Sequence, residues 1–260
     1  MKTYSFSAKL PLVLLGVPLS ESENPFLAIP TKTVKTLIVI YNCSDKTVDI
    51  QVGTSDINHL ISGFVEGLDE LAEGLCIKVL PTDGINNASK ISIYSLITSL
   101  IIHAIAKYHG EILDTWEILE IARYADPISR PSGWAYVLDA ARYAVLTGTP
   151  VVFRNEEEYA KIESKVEANL RYQYSIRPTS QKLTRESLGG DVYNALVRLA
   201  GVMVLEAAVK LRERKDLFFI IETLNKLQNG IISSVWSIDY PPSNCTIVPG
   251  MPTEFDVYCW

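Results

Sequence analysis

Apolar and polar residues along this chain form two kinds of pattern, one typical of strands and one of helices. Short apolar runs of strand length, bounded by turn residues, occur at residues 12–15, 37–41, 47–52 and 75–80. Residues 56–73 and 191–214 instead carry apolar side chains every three or four positions, which predicts amphipathic helices. Residues 88–108 are apolar around most of a helical circumference, so we expect this helix at the centre of the core.

The second half of the chain continues as a mixture of strands and helices. The pattern predicts a hairpin of residues 142–146 with 151–154, a charged helix at 156–170, a strand at 172–176, a helix at 217–230 and a closing hairpin of 246–248 with 255–259. Strands and helices do not alternate regularly, and no repeat or low-complexity linker appears. The sequence therefore predicts an α+β fold in two parts, residues 1–150 and 151–260.

Composition narrows the classes of function. A net charge of −6 and a pI near 5.2 argue against a broad nucleic-acid surface. Three histidines, and cysteines without a C-x-x-C pair, argue against a histidine–cysteine metal cluster. We expect the four widely spaced cysteines to be buried free thiols: Cys43, Cys76, Cys245 and Cys259.

The apolar run that follows Lys9 has two interpretations. L-P-L-V-L-L-G-V-P-L resembles a weak signal peptide, but Pro11 and Pro18 interrupt it and no A-x-A cleavage site follows. A first strand covered on both faces explains the run equally well. No later stretch is uninterruptedly apolar over a spanning length, so we expect a cytoplasmic protein that contacts neither membrane nor nucleic acid. Abundant isoleucine and tyrosine with few methionines indicate a thermophile.

The turn after the strand at 75–80 carries the clearest chemical signal. Pro81 ends the strand, Gly84, Asn86 and Asn87 follow, and the long helix then begins. Small and polar residues at such a turn leave backbone N–H groups free beside the positive end of the helix dipole. Phosphate groups bind at sites of this kind. A loop with an asparagine cap before a buried helix would give the same pattern, and both interpretations stay open.

Four segments, in this order, resemble the GHMP superfamily of small-molecule kinases, which includes galactokinase, homoserine kinase, mevalonate kinase and phosphomevalonate kinase. A-K-L-P-L-V-L-L-G (8–16) resembles the first motif of the family, and P-T-D-G-I-N-N-A-S-K-I-S-I (81–93) resembles its phosphate loop. R-P-S-G-W-A (130–135) resembles its P-S-G-I-D segment, and S-I-R-P-T-S-Q-K-L (175–183) the start of its C-terminal half. The resemblance implies a two-part α+β fold, with a left-handed βαβ unit in the N-terminal half and a ferredoxin-like C-terminal half.

The resemblance also implies a site for ATP and Mg²⁺ and assigns residues to it. Lys9 and Asp126 are the expected catalytic residues, and Asp126 and Ser89 the expected ligands of Mg²⁺. The residues expected to bind the nucleotide are Gly84, Asn86, Asn87, Ser89 and Lys90. Those expected to bind a small-molecule substrate are Ser132, Gly133 and Trp134.

Three departures from the family pattern bear on activity. Ala88 stands where the family has a serine that binds Mg²⁺, and Ala135 stands where it has the catalytic aspartate. The glycine-rich segment expected near the C-terminus is absent, since residues 245–260 contain only Gly250. Two hypotheses therefore remain. The first is ATP-dependent phosphoryl transfer to the hydroxyl or phosphate of a small, mevalonate-like metabolite. The second is a catalytically silent relative that acts as a binding or regulatory protein.

The last residues of the chain predict a contact with a second copy. The closing hairpin ends in the apolar Val257, Tyr258, Cys259 and Trp260. An exposed edge strand of this composition can pair with the same strand of another subunit. We therefore expect a homodimer formed through the C-terminal edge strand.

Overall fold

A computed structural model describes residues 1–19, 24–44, 47–80, 84–85, 88–155, 157–164, 170–178, 181, 183–213 and 220–260. The strands are β1 Lys2–Leu15, β2 Phe26–Asn42, β3 Val48–Ile50, β4 Leu75–Leu80, β5 Val151–Phe153, β6 Tyr159–Lys161, β7 Arg171–Ile176, β8 Cys245–Pro249 and β9 Phe255–Cys259. The helices are α1 Ser55–Glu66, α2 Lys90–His109, α3 Thr115–Ala125, α4 Val137–Thr147, α5 Arg185–Leu188, α6 Gly190–Arg212 and α7 Asn225–Trp236. Short 3₁₀ turns occupy Asp69–Ala72 and Ser132–Trp134, and a π-helical turn, Ile220–Leu224, precedes α7.

Six strands form the first sheet, in the order β3-β4-β2-β5-β6, with β1 paired to β2. β1 and β2 are antiparallel and carry much of the core, while β3 and β4 are parallel and are joined through α1. β5 and β6 complete this sheet, so it extends beyond residue 150, where the sequence places the division between the two parts. Mixed helix and strand content confirms the α+β class. The handedness of the βαβ unit and the ferredoxin-like arrangement stay predictions.

The central helix is α2, as its apolar circumference predicts. Its residues from Ile91 to Ile102 are all buried. The buried hydroxyls of Thr98 and Ser99 donate to the carbonyls of Tyr94 and Ser95 one turn earlier, at 2.7 and 2.8 Å. These bonds satisfy polar groups that would otherwise be costly to bury.

Three predicted elements differ from the structure. The pattern predicts a strand at residues 142–146, but they belong to α4, because a short apolar run cannot by itself distinguish a buried helix from a strand. The charged helix expected at 156–170 is wrong where the structure describes it, since β6 lies there; residues 156 and 165–169 are outside the described residues. Of the helix expected at 217–230, residues 217–219 are outside the described residues, Ile220–Leu224 form the π-helical turn, and α7 continues from Asn225 to Trp236.

The second sheet has three antiparallel strands in the order β7-β9-β8. β9 pairs with β7 on one side and with β8 on the other, so the C-terminal strand is the middle strand. Phe255 to Tyr258 are buried. The prediction that this strand is an exposed edge available to a second subunit is therefore wrong, because both of its edges are already hydrogen-bonded.

The prediction of free thiols is also wrong. Cys43 is bonded to Cys76, which links the end of β2 to β4, and Cys245 is bonded to Cys259 across β8 and β9. Each pair becomes adjacent only when the strands pair, a relationship that cysteine spacing along the chain does not show.

Two helices, α2 and α6, are long and apolar enough to cross a membrane by length and composition alone, contrary to the sequence expectation. In α2 the apolar stretch is 83% buried, as in the core helix of a folded domain. In α6 it is only 28% buried. An apolar face of α6 is therefore exposed.

Candidate functional site

The N-terminus of α2 lies against the second sheet. Ser89 is the N-cap: its hydroxyl accepts a hydrogen bond from the backbone N–H of Ser92 at 3.4 Å. The Ser92 hydroxyl in turn donates to the carbonyl of Pro11 in β1 at 2.5 Å. Both serines are buried. The predicted phosphate-loop helix therefore begins at a buried junction between the two sheets.

Two carboxylates of the β8–β9 hairpin lie at this junction. Asp256 is 1% exposed, and the hydroxyl of Ser175 on β7 donates to its Oδ1 at 2.6 Å. Glu254 is 5% exposed, and its Oε1 pairs with Arg177 and lies 3.9 Å from Nζ of Lys90. Oε2 of Glu254 is buried, and no described residue donates a hydrogen bond to it.

Burial raises the pKa of Asp256 to about 6. Hydrogen bonds from Ser175 and Ser89 oppose this rise, and the nearby charge of Glu254 adds to it. Burial likewise raises the pKa of Tyr258, whose hydroxyl lies within hydrogen-bonding reach of Ser89. Asp256 is therefore a carboxylate that titrates close to neutral pH beside the first turn of α2.

The backbone of the loop before α2 is partly described. Gly84 has φ +98°, a conformation that favours glycine, and a Cβ there would lie 2.9 Å from Cε and Nζ of Lys32. β1 pairs Lys9 with Thr33, the residue after Lys32. The structure thus brings Gly84, Ser89, Lys90 and the strand position of Lys9 to one end of α2. Asn86 and Asn87 lie outside the described residues.

Asp126 occupies a different environment from the one expected of a metal ligand. Arg142 donates to both of its carboxylate oxygens, Arg130 pairs with Oδ2, and the hydroxyl of Tyr94 donates to Oδ1 at 2.8 Å. Its side chain is 1% exposed. Burial alone would raise the pKa of Asp126, but Arg142 and Arg130 lower it below its usual value. The carboxylate is saturated by protein partners, which favours a structural role over the predicted catalytic and Mg²⁺-binding roles.

The segment Ser132–Trp134 separates into one exposed and two buried residues. Ser132 is exposed, whereas Gly133 and Trp134 are buried. The ring of Trp134 lies 5.0 Å from that of Phe255, and Phe255 lies 4.9 Å from Trp236. This packing joins the segment to β9 and makes Trp134 a core contact between the two parts of the protein. Substrate binding by these residues stays a prediction.

Sequence reasoning missed Glu254 and Asp256. They stand two residues apart in P-T-E-F-D-V, at positions that flank Phe255. Glu254 directly precedes β9 and Asp256 is the second residue of that strand, so alternation places both carboxylates on the same side of the chain. Their position replaces the glycine-rich segment that the family resemblance leads one to expect near the C-terminus. Among the described residues, no group of three or more histidine, cysteine or acidic side chains could hold a metal ion.

Comparison with known proteins supports the fold assignment. No protein-family model and no curated protein matches the sequence. The structure is similar to mevalonate kinase from methicillin-resistant Staphylococcus aureus, with a TM-score of 0.58 and 14% identity over 100% of this chain and 90% of that one. It is similar to mevalonate kinase of L. major, solved with R-mevalonate, with a TM-score of 0.66 and 10% identity over 100% and 87% of the two chains.

A third similar structure is a D-glycero-D-manno-heptose 1-phosphate kinase from Bacteriodes thetaiotaomicron, with a TM-score of 0.59 and 11% identity over 99% and 88% of the two chains. All three proteins are members of the GHMP superfamily. The chain has the fold of the GHMP kinases. At these identities the similarity establishes the kinase-like fold, and the resemblance of the four sequence motifs is confirmed at that level.

Proposed function

We propose that this protein is a GHMP-fold binding protein that has lost phosphoryl transfer and acts by holding a small metabolite or a partner. The observation that carries this proposal is the pair Glu254 and Asp256 beside the first turn of α2. Both side chains are buried, and both come from the hairpin that stands in the place of a glycine-rich segment.

Phosphate binding at the start of a helix depends on free N–H groups and on positive charge. Here Ser89 caps α2 itself, and two of the cations at this end of the helix, Lys90 and Arg177, are already engaged with Glu254. A triphosphate placed beside Glu254 and Asp256 would meet two carboxylates, and burial increases that repulsion. These two carboxylates therefore disfavour ATP with Mg²⁺ beside the first turn of α2. The carboxylate of Asp126 is already occupied by its arginine and tyrosine partners.

A second candidate function is ATP-dependent phosphoryl transfer to a small acceptor such as a mevalonate-like alcohol. It is favoured by the position of Lys32 against Gly84, since a lysine beside a left-handed glycine suits an anion. Under this alternative, Asn86 and Asn87 would complete the nucleotide site, and Asn87→Leu should weaken nucleotide binding.

Calorimetric titration with ATP, in the presence and absence of Mg²⁺, tests the two candidates. The binding-protein proposal expects no heat of binding at millimolar ATP and no phosphate transfer to mevalonate, phosphomevalonate or homoserine. Saturable ATP binding with turnover of any of these acceptors would overturn it in favour of the kinase.

A gain-of-binding variant tests the physical reason for the proposal. Glu254→Gln with Asp256→Asn removes both negative charges and keeps hydrogen-bonding groups of nearly the same size. If these carboxylates exclude anions, the double variant should bind inorganic phosphate at least tenfold more tightly than the unchanged protein. Asp49→Asn is the matched control, because Asp49 forms an exposed ion pair with Lys78 on the first sheet. Equal phosphate affinity in all three proteins would show that the carboxylates do not control the site.

The compartment remains a proposal as well. Disulfides are typical of oxidising compartments, and intracellular proteins of hyperthermophiles are the known exception. A cytoplasmic location is compatible with the two disulfides if the source is such an organism, as the composition of the chain indicates. Measuring whether the four cysteines are oxidised in the cytoplasm of the native host would test this expectation.

A further inference from the structure

Helix α6 has one face in the core and an opposite face that is exposed. The inner face consists of Tyr193, Ala200, Met203, Val204, Ala207 and Leu211, which are all buried. The outer face carries a series of large apolar side chains that are between 40% and 59% exposed: Val192, Leu199, Val202, Leu205 and Val209. Scattered exposed apolar residues need no explanation, but a continuous stripe along one helix marks an interaction surface.

We propose that this outer face of α6, which we call the α6 face, pairs with the α6 face of a second copy about a twofold axis at Val202. Val202 is the most exposed apolar residue of the helix, at 59%, and lies near its middle. The proposal does not depend on whether the protein binds ATP.

The charges on the α6 face fit an antiparallel pair. Arg198 and Glu206 lie four residues before and after Val202. A twofold axis at Val202 therefore places Arg198 of each copy level with Glu206 of the other, so that opposite charges meet twice. The same axis places Leu199 level with Leu205. An isologous contact needs a surface that is complementary to itself, and this arrangement supplies both apolar and charge complementarity.

A groove beside α6 widens the surface. It has a volume of about 780 Å³ and lies between α6 and the strands β5 and β6, where Val152, Tyr159 and Ala160 face Val197, Val202 and Leu205. A helix of this length spans about 35 Å. The area that the α6 face alone can bury falls short of the roughly 800 Å² per partner that stable interfaces bury. The wall of the groove supplies further apolar area next to the α6 face.

A lipid surface fits the α6 face less well. Amphipathic helices that lie on membranes carry lysine and arginine on their polar flanks. The flanks here carry both signs of charge, with Arg198 and Lys210 as well as Asp191 and Glu206. The whole chain has a net charge of −6. A second copy explains the balanced charges, whereas a membrane does not.

Sedimentation velocity over a range of protein concentrations tests the proposal. The unchanged protein should be a dimer at micromolar concentration, and Val202→Glu should weaken dimerisation by roughly 100-fold, because it buries two like charges at the axis. Ile112→Glu is the control, since Ile112 is 97% exposed on the loop between α2 and α3 and its replacement should leave the dimer intact. Circular dichroism establishes that each variant is folded.

A second test exchanges the charges of Arg198 and Glu206 and leaves the apolar residues of the α6 face unchanged. Arg198→Glu should weaken the dimer, because it places a carboxylate level with Glu206 of the other copy, and adding Glu206→Arg should restore it. A protein that is monomeric at all concentrations, or a dimer insensitive to Val202→Glu and to Arg198→Glu, would overturn the proposal. A monomer that co-sediments with vesicles of phosphatidylcholine and phosphatidylglycerol would also overturn it and would assign the α6 face to lipid.

Discussion

Arg142 on α4 donates hydrogen bonds to both carboxylate oxygens of Asp126, at 2.6 and 2.8 Å, with the arginine fully buried. Arg130 shares the carboxylate, and Asp139, also fully buried, pairs with Arg130 and Arg123. Three cations thus meet two carboxylates in the core. The side chains of this group come from α3, from α4 and from the segment between them, so the group fixes how these elements pack.

We expect Asp126→Ala to reduce stability strongly. It leaves the guanidinium of Arg142 buried without its main partner, and breaking a buried pair in this way costs about 3–5 kcal/mol. Urea denaturation of the variant measures the loss. As a control, Glu158→Ala breaks the exposed pair with Arg154 and should cost about 1 kcal/mol or less. A stable Asp126→Ala variant that loses only an activity would instead return Asp126 to the catalytic role predicted from the sequence.

Asp256 should make stability depend on pH. Its folded pKa, about 6, lies above the ordinary value of 3.8, so the folded state holds a proton that the unfolded state has released between these values. Stability should therefore fall as the pH rises from 4 to 6 and stay lower above 6, by up to about 3 kcal/mol.

Thermal unfolding between pH 4 and 8 measures this dependence, and Asp256→Asn should remove most of it. The contribution of Asp126 has the opposite sign, because its pKa is lowered, but it is lost only on acidification below the usual aspartate range. The two effects occupy different pH ranges. An unchanged pH profile in Asp256→Asn would contradict the assignment.

Reduction of the disulfides should destabilise the protein. The bonds close loops separated by 33 and 14 residues in sequence, and the loss of each is expected to cost about 3–4 kcal/mol by the chain-entropy model. A thiol assay on the denatured, unreduced protein should find no free cysteine. Thermal unfolding with and without a phosphine reductant should then show a lower midpoint in the reduced sample. Four reactive thiols in the unreduced protein would favour the free thiols expected from the sequence.

Gly133 should tolerate no side chain. A Cβ there would lie 2.4 Å from the carbonyl oxygen of Pro18 and 2.5 Å from that of Leu19, and backbone cannot move aside cheaply. Gly133→Ala should cost about 1–3 kcal/mol or more. Gly230→Ala on α7 is the control, since nothing lies within 4 Å of that position, and it should stabilise the helix by up to about 1 kcal/mol. Chemical denaturation of both variants distinguishes the two sites.

The sequence determined the elements whose signals are local. The apolar circumference of α2 and the strand at Leu75–Leu80 are recognisable because burial of an element leaves an apolar pattern in the chain. The stripe of α6 predicts that helix correctly, but its large apolar residues are mostly on the exposed face. The order of four motifs was also sufficient for the GHMP fold.

Only the tertiary structure decided where charged and sulfur-containing side chains meet. The sequence pattern assigns Arg142 to a strand because a short apolar run does not distinguish a strand from a buried helix. Nothing near Arg142 in sequence indicates that Asp126, sixteen residues earlier, pairs with it in the core. Glu254 and Asp256 reach the first turn of α2, and Cys43 reaches Cys76, through strand pairings between distant segments. Local patterns report where apolar residues recur along a helix or strand, whereas chemical partnership depends on contacts that form only when the chain is folded.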